Sequence, residues 1–266
     1  MSLSRRALVA GAAALPFAAR AAPRAELLDP RWTRTGDQGD PDAAPWARFL
    51  DRFRVVGADG IARVDYAGAP RDTLEPWLAA YSAVDPARLR PKAQFAFWCN
   101  LYNGLTVDLV LEAWPVDGIK EVRGGLFNTG PWEERIVTVA GAELSLDDIE
   151  HGILRPVHGD PRVHYAVNCA ALGCPNLLAE PFAEATLDET LEGAAARYVN
   201  HPRGARIEGG RLIVSSIYEW FQEDFGGADA GVLAHLRRYA TGGTAAALEG
   251  RTRIDGDAYD WSINAA

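Results

Sequence analysis

The spacing of apolar and polar residues divides the chain into helical and extended segments. Residues 46–56 carry apolar side chains at helical spacing, which predicts an amphipathic helix. Residues 92–114 are apolar on nearly every side, so we expect a buried central helix. That helix should end before Pro115, because the residue before a proline disfavours helical geometry.

The remaining pattern mixes the two kinds of element without a regular alternation. Helices are predicted at 74–82, 146–154, 187–198, 217–225 and 230–239, the second of them capped by Ser145. Extended segments are predicted at 61–66, 135–139, 142–144, 162–168, 206–207, 211–215 and 254–261, with a loop at 117–132. This arrangement favours an α+β fold: a single domain with a buried central helix, a small mixed or antiparallel sheet and surrounding helices.

The N-terminus has the pattern of an export signal. Ser4-Arg5-Arg6-Ala7-Leu8 resembles a twin-arginine motif, a short apolar run follows, and Ala19-Arg20-Ala21 is a small-x-small cleavage site. A disordered N-terminal arm is the alternative. We therefore predict a signal peptide at 1–21, a lead-in at 22–44 and one domain at 45–266. The mature protein is then expected in the periplasm or secreted.

The net charge and the cysteine count limit the classes of binding partner and the disulfides that are possible. The formal net charge is −9, which disfavours binding to nucleic acid and anionic membranes. No segment after the leader is apolar over the roughly 20 residues that a membrane span needs, so a small-molecule or peptide ligand is the expected partner. Three cysteines, Cys99, Cys169 and Cys174, leave at least one thiol unpaired in a monomer.

Glu150, His151 and Arg155 form the first candidate for chemistry. Positions four apart share a helical face, so His151 and Arg155 should project together with Glu150 turned to one side. This group could act as an acid–base pair beside a cation. Glutamate, histidine and arginine are also ordinary residues at a solvated helix end.

His164 and Cys169 form the second candidate. On the strand predicted at 162–168 they would face opposite sides, so they could meet only if Cys169 lies on the turn after the strand. Cys169 and Cys174 are close enough in sequence for a structural disulfide, and an oxidising compartment would favour one. Cys169 could instead be a thiolate nucleophile activated by a histidine.

The buried helix supplies the third candidate. Asn100 and Asn103 are polar groups on an apolar helix, and they would either line a pocket or tie down a neighbouring loop. Trp98 and Trp220 could line the same pocket, whereas Cys99 is expected to be an inert core thiol. No cofactor motif is present. A zinc site built from His151, His164, Cys169 and Cys174 is an alternative.

These segments resemble a known family. Phe97-Trp98-Cys99-Asn100-Leu101-Tyr102-Asn103 is similar to the Phe-Trp-x-Asn-x-Tyr-Asn signature of the family catalogued as domain of unknown function 547. Residues 149–155, 162–175, 218–225 and 259–264 resemble its other blocks in the same order. The family has no settled activity, although fusion of some animal members to glutaredoxin-like domains suggests thiol chemistry. Two departures are Cys99, where an aliphatic residue is usual, and Gly173, where serine is common.

The leading hypothesis is a thiol-dependent hydrolase or transferase acting on a small amide, thiol or peptide. Cys169 would be the nucleophile and His151 or His164 the base. Glu150 would orient that base, and Asn100 or Asn103 would stabilise developing charge. The alternatives are a redox protein built on Cys169 and Cys174, and a non-catalytic binding module stapled by that pair.

Overall fold

The computed structural model describes residues 23–123 and 130–266. The predicted leader at 1–21 lies outside these residues, and so do residues 124–129 of the loop predicted at 117–132. In the described ranges, helices are interspersed with short strands that form small separate sheets. The α+β prediction is therefore confirmed.

The α-helices follow the predicted segments closely. In chain order they are α1 (Ala44–Phe53), α2 (Glu75–Ser82), α3 (Pro91–Ala113), α4 (Leu146–Ile149), α5 (Arg155–His158), α6 (Leu187–Val199), α7 (Ser216–Trp220), α8 (Asp229–Tyr239) and α9 (Gly242–Leu248). A single π-helical turn, Glu150–Leu154, joins α4 to α5. Helix α9 is not among the predicted helices, because its first two residues are glycines and it begins without a helix-favouring pattern.

Helix α3 is the buried central helix that the sequence predicts. Pro91 suits its first position because the missing N–H would have no partner there. The helix ends where Trp114 turns to an extended conformation before Pro115. Phe97 and Trp98 are both 0% exposed, and burial continues around the whole circumference of the helix.

The strands pair as short ribbons. They are β1 (Arg54–Val56), β2 (Ala62–Val64), β3 (Val137–Val139), β4 (Ala142–Leu144), β5 (Ala205–Glu208), β6 (Arg211–Ser215) and β7 (Gly256–Ala258). Strands β1 and β2 are antiparallel, as are β3 with β4 and β5 with β6, while β7 adds to β6 in parallel. Ala140 and Gly141 both have positive φ, 47° and 77°, which matches the twist of a two-residue hairpin turn.

Three predicted elements differ from the structure. The helix predicted at 217–225 ends at Trp220, and turns follow it. The helix predicted at 46–56 ends at Phe53, because residues 54–56 pair with β2 instead of continuing the helix. The strand predicted at 162–168 is a 3₁₀ helix, Pro161–Tyr165. Asp160 caps it by accepting a hydrogen bond from the Arg162 N–H, so local capping outweighs the extended pattern of apolar residues.

The core has two parts. The larger apolar cluster surrounds α3, and a smaller one is formed by α6, α8 and β6. Val163 belongs to the larger cluster and Tyr165 to the smaller, so the 3₁₀ segment lies at their boundary. His164, between these two residues, is therefore placed where the two cores meet.

Candidate functional site

Two buried asparagines of α3 hold the loops around the cysteines. Asn103 donates to the carbonyl of Ala166 (2.9 Å) and accepts from the N–H of Asn168 (2.8 Å). Asn100 makes the matching pair of bonds to Phe182, both at 2.8 Å. Their amide groups are committed to backbone partners, which argues against the predicted role in stabilising charge on a substrate.

Asn168 closes the loop that carries Cys169 and Cys174. Its side chain accepts from the N–H of Ala170 (2.9 Å) and donates to the carbonyl of Pro175 (2.7 Å). Ala170 has a φ of 60°, an uncommon conformation for a residue with a side chain. The loop therefore turns back on itself and brings the two cysteines together.

The sulfurs of Cys169 and Cys174 are in direct contact. They lie 2.6 Å apart, and both residues are free cysteines in the structure. Tyr259 Oη is 3.1 Å from Cys169 Sγ and 2.9 Å from Cys174 Sγ, and the Cys169 N–H donates to Cys174 Sγ at 3.0 Å. Cys174 is buried, whereas Cys169 is partly exposed.

These contacts favour one thiolate shared by the pair. Burial by itself raises the pKa of Cys174, but hydrogen bonds from the Cys169 thiol, the Tyr259 phenol and backbone N–H groups outweigh burial and lower that pKa to about 7. The pKa of Cys169 is raised, first by the hydrogen bond its thiol makes to Cys174 and then by burial. The pair thus loses its first proton more readily than an isolated thiol and its second much less readily.

The C-terminal segment places Tyr259 over the sulfurs. Gly173 N–H donates to the Asp260 carbonyl and Leu172 N–H to the Ser262 carbonyl, both at 2.8 Å, so this segment runs alongside the cysteine loop. A Cβ on Gly173 would lie 2.8 Å from the Asp260 nitrogen. Gly173 therefore permits a close approach of the two backbones, which accounts for the absence of a side chain at this position.

A second group of ionisable side chains surrounds the π turn. The capping box predicted at Ser145 is present and starts α4, which leads directly into Glu150 and His151. As the spacing predicts, His151 and Arg155 project together, with His151 Nδ1 3.2 Å from the Arg155 guanidinium. Glu150 Oε1 lies 3.9 Å from His151 Nδ1.

Residues from distant segments complete this acid–histidine cluster, which we define as Glu150, His151, Arg155, His164 and Asp224. His164 Nε2 donates to Asp224 Oδ2 at 2.7 Å, and His164 Nδ1 lies 3.7 Å from Glu150 Oε1. Arg155 donates to Asp224 at 2.6 Å. Phe221 stacks on His164 with ring centroids 4.4 Å apart, which fixes the plane of the imidazole.

Burial sets the protonation states in the acid–histidine cluster. Burial, followed by the charge of nearby Asp147, raises the pKa of Glu150 to about 8. Burial, followed by the charge of Arg155, lowers the pKa of His151 to about 3. Asp224 stays ionised because hydrogen bonds from His164 and Arg155 outweigh its burial and lower its pKa to about 2. Near neutral pH, Glu150 is therefore mainly a protonated acid facing a neutral imidazole.

The structure does not bring Cys169 and a histidine together. Among the described residues, the hydrogen-bond partners of the Cys169 sulfur are Cys174 and Tyr259, and no bond joins it to His151 or His164. The two imidazoles are held by Arg155 and Asp224 instead. The predicted pairing of Cys169 with His151 or His164 is therefore corrected: neither histidine bonds to the sulfur, because each imidazole already has a charged partner.

Trp98 and Trp220, which the sequence predicts to line one pocket, lie in different parts of the structure. Trp98 is 0% exposed and packs edge-on against Trp32, so it is a core residue. Trp220 is partly exposed, with its ring centroid 4.9 Å from Tyr259 and 5.3 Å from Trp261. Trp220, Tyr259 and Trp261 thus form a half-buried aromatic patch beside the cysteine pair.

The four residues of the predicted zinc site do not come together. In the ranges 23–123 and 130–266, no group of three or more histidine, cysteine or acidic residues is placed to hold a metal ion. His151 and His164 lie in the acid–histidine cluster, while Cys169 and Cys174 face Tyr259. The four proposed ligands therefore belong to two separate groups.

Tyr259 and Asp224 are the site residues that the sequence reasoning did not assign. Tyr259 lies 85 positions from Cys174, and Asp224 lies 60 positions from His164. Both fall in segments that carry the family resemblance, at 259–264 and 218–225. That resemblance was the one signal in the sequence that could have pointed to them.

Comparison with known proteins supports the resemblance over the centre of the chain. The family model described as "Protein of unknown function, DUF547" matches residues 86–199, which include α3, the π turn and both cysteines of the pair. No curated protein and no solved structure matches the chain. Among the described residues, no helix is long and apolar enough to cross a membrane.

Proposed function

For a chain whose residues 86–199 resemble the DUF547 family of uncharacterised proteins, we propose thiol–disulfide exchange at Cys169 and Cys174. The observation that carries this proposal is the contact between the two sulfurs at 2.6 Å, with Tyr259 Oη bonded to both. Two cysteines in contact can form a disulfide without backbone movement. The partly exposed Cys169 is the sulfur that an external partner could reach.

The exchange follows from the shared proton. As the proton moves from Cys169 to Cys174 across the short contact, the Cys169 thiolate attacks one sulfur of a substrate disulfide. The substrate S–S bond breaks, and its second sulfur leaves as a thiolate that takes up a proton. Cys174 then gives up its proton and attacks Cys169, which releases the first substrate sulfur. In total, two electrons pass from the pair to the substrate, and the two substrate thiolates take up one proton from Cys174 and one from solvent.

Tyr259 and the surrounding aromatic patch support this chemistry. The phenol is hydrogen-bonded to both sulfurs, so it stabilises negative charge on whichever of them carries it. The half-buried rings of Trp220 and Trp261 offer apolar surface next to the sulfurs for a peptide or a small organic disulfide. The hydrolase hypothesis has less support, because the two histidines are engaged elsewhere.

The predicted export signal supports the same function. A disulfide substrate is most abundant in an oxidising compartment, such as the periplasm or the outside of the cell. The twin-arginine pattern at residues 4–8 is the basis for this part of the proposal. It is tested by fractionating cells that express the full chain and by sequencing the N-terminus of the mature protein, with cleavage expected after Ala21.

A redox titration tests the exchange. Protein equilibrated in glutathione buffers of graded potential is trapped with a thiol reagent, and the fraction of bridged Cys169–Cys174 is measured by mass spectrometry. An exchange centre is expected to titrate above about −300 mV, whereas a structural disulfide resists reduction by the glutathione pool and titrates below that value. A bridge that stays closed across the whole range would refute the proposal in favour of a staple.

Reactivity of variants provides the second measurement. Reduced protein is mixed with a chromophoric aromatic disulfide, and release of the coloured thiol is followed. The Cys169→Ser variant should lose the reaction, and the Cys174→Ser variant should stop at the mixed disulfide. The Cys99→Ser variant is the matched control, because Cys99 is 0% exposed in the core and should leave the rate unchanged.

A further inference from the structure

A cleft on another side of the cysteine loop has an unusual charge distribution. Its volume is about 180 Å³, and it lies between α6 and the segment that follows Cys174. Its apolar wall is formed by Pro175, Leu178, Ala194 and the rings of two tyrosines, and its polar wall by Asn176, Arg197, His201 and Arg203. The described residues that line it include no carboxylate, although the chain as a whole carries a net charge of −9.

Arg203 is partly buried and makes no ion pair with a carboxylate of residues 23–123 or 130–266. Its guanidinium donates to the carbonyls of Leu172 (2.8 Å) and Cys174 (2.6 Å), to Asn176 Oδ1 (2.9 Å) and to His201 Nδ1 (3.1 Å). These neutral acceptors satisfy its hydrogen bonds. Burial lowers the pKa of Arg203, and the nearby charges of Cys174 and Asp59 offset only part of that effect.

Two further arginines add to this positive charge. Arg197 lines the cleft and makes no hydrogen bond or ion pair with any described residue. Arg54 donates to the carbonyl of Leu177 at 2.6 Å, and its pKa is lowered by burial and then by the charge of Arg197. By contrast, Arg155 and Arg162 each meet a carboxylate at 2.6 Å. Arg54 and Arg197 thus repel each other beside the cleft.

We propose that this cleft binds a small organic carboxylate, with its charge at Arg197 and Arg203 and its apolar body between Leu178 and Ala194. A guanidinium binds a carboxylate through two parallel hydrogen bonds, and Arg197, which is exposed to solvent, has its N–H groups free to turn towards such a ligand. Cavities of roughly 150 Å³ hold a benzene ring, so a cleft of this size accepts a ligand with an aromatic or short aliphatic body. The site adjoins the cysteine loop through Arg203, but binding there requires no reaction at the sulfurs.

Calorimetric titration with benzoate tests the site. At constant ionic strength, benzoate is expected to bind with one saturable site, and the Arg197→Gln variant should weaken that binding at least tenfold. The Arg48→Gln variant is the matched control, because Arg48 is an exposed arginine on α1, away from the cleft, and should leave the affinity within about twofold. The Leu178→Trp variant should abolish binding by filling the apolar side, with folding verified by thermal unfolding.

Two comparison ligands test whether the cleft needs both the charge and the ring of benzoate. Benzyl alcohol, which has the same ring without the charge, and inorganic phosphate, which has charge without the ring, should each bind at least tenfold more weakly than benzoate. Equal binding of either one would overturn the proposal, and so would the absence of saturable heat or an unchanged affinity in Arg197→Gln. Repeating the titration with Cys169→Ser protein should give the same affinity, which keeps this test independent of the exchange reaction.

Discussion

Replacing Glu150 by glutamine should change how stability depends on pH. Glu150 is 8% exposed, and burial raises the pKa of its carboxyl from 4.5 to about 8. Between these two values the folded chain holds a proton that the unfolded chain has released, so stability falls as pH rises. Glutamine has nearly the same shape and does not ionise, so the Glu150→Gln variant lacks this loss.

The size of the effect follows from the two pKa values. A shift of one pKa unit corresponds to about 1.4 kcal/mol, so ionisation of Glu150 should lower the free energy of unfolding by about 3 kcal/mol between pH 5 and pH 8. That is a large fraction of the roughly 5–15 kcal/mol that stabilises a typical domain. The stability of the variant relative to wild type should therefore increase by this amount over that range.

Urea denaturation at pH 5, 6, 7 and 8 measures this difference. His151 acts in the opposite direction, because its lowered pKa of about 3 makes stability rise as pH increases towards 6.5. That contribution is common to both proteins and cancels in the comparison. The exposed Glu189→Gln variant on α6 is the control and should differ from wild type by a constant within about 0.5 kcal/mol. A difference between wild type and Glu150→Gln that does not change with pH would refute the reasoning.

Three other perturbations test the site. Tyr259→Phe removes the phenol from both sulfurs, so the pH midpoint for alkylation of the pair by iodoacetamide should rise by about one unit; an unchanged midpoint would exclude the phenol as a charge stabiliser. Arg155→Met leaves the partly buried Asp224 without its cation and should lower the free energy of unfolding in urea by about 3 kcal/mol, against less than about 1 kcal/mol for Arg238→Gln on the surface. Equal losses would contradict this assignment. Gly173→Ala forces a Cβ to within 2.9 Å of the Asp260 carbonyl and should cost about 1–3 kcal/mol in thermal unfolding, and wild-type stability would show that the backbones can separate freely.

Features that depend on neighbouring residues could be predicted from the sequence. The central helix from Pro91 to Ala113, the capping box at Ser145 and the hairpin at Ala140 and Gly141 all appear where local spacing and turn chemistry place them. Each is decided by hydrogen bonds and steric preferences within a few residues of the chain. The pairing of His151 with Arg155 on one face belongs to the same class.

The local sequence pattern did not predict the secondary structure correctly where contacts with distant segments decide it. Residues 54–56 continue a helical pattern, yet the ladder with β2 takes them out of α1. Residues 162–168 read as a strand, but no strand in the described ranges pairs with them, and the Asp160 cap favours a 3₁₀ turn at 161–165. In both cases the secondary structure depends on the neighbouring elements that pack against the segment, and the sequence of the segment itself does not specify them.

Only the tertiary structure decided which of the candidate residues lie in contact with one another. Residue types and spacing identified Glu150, His164, Cys169 and Cys174 as candidates but did not show which of them would touch. Folding separated the histidines from the cysteines and gave each group a partner from the C-terminal third, Asp224 and Tyr259. The physical reason is that protonation and reactivity depend on burial and on charges within a few ångströms, and chain topology determines both.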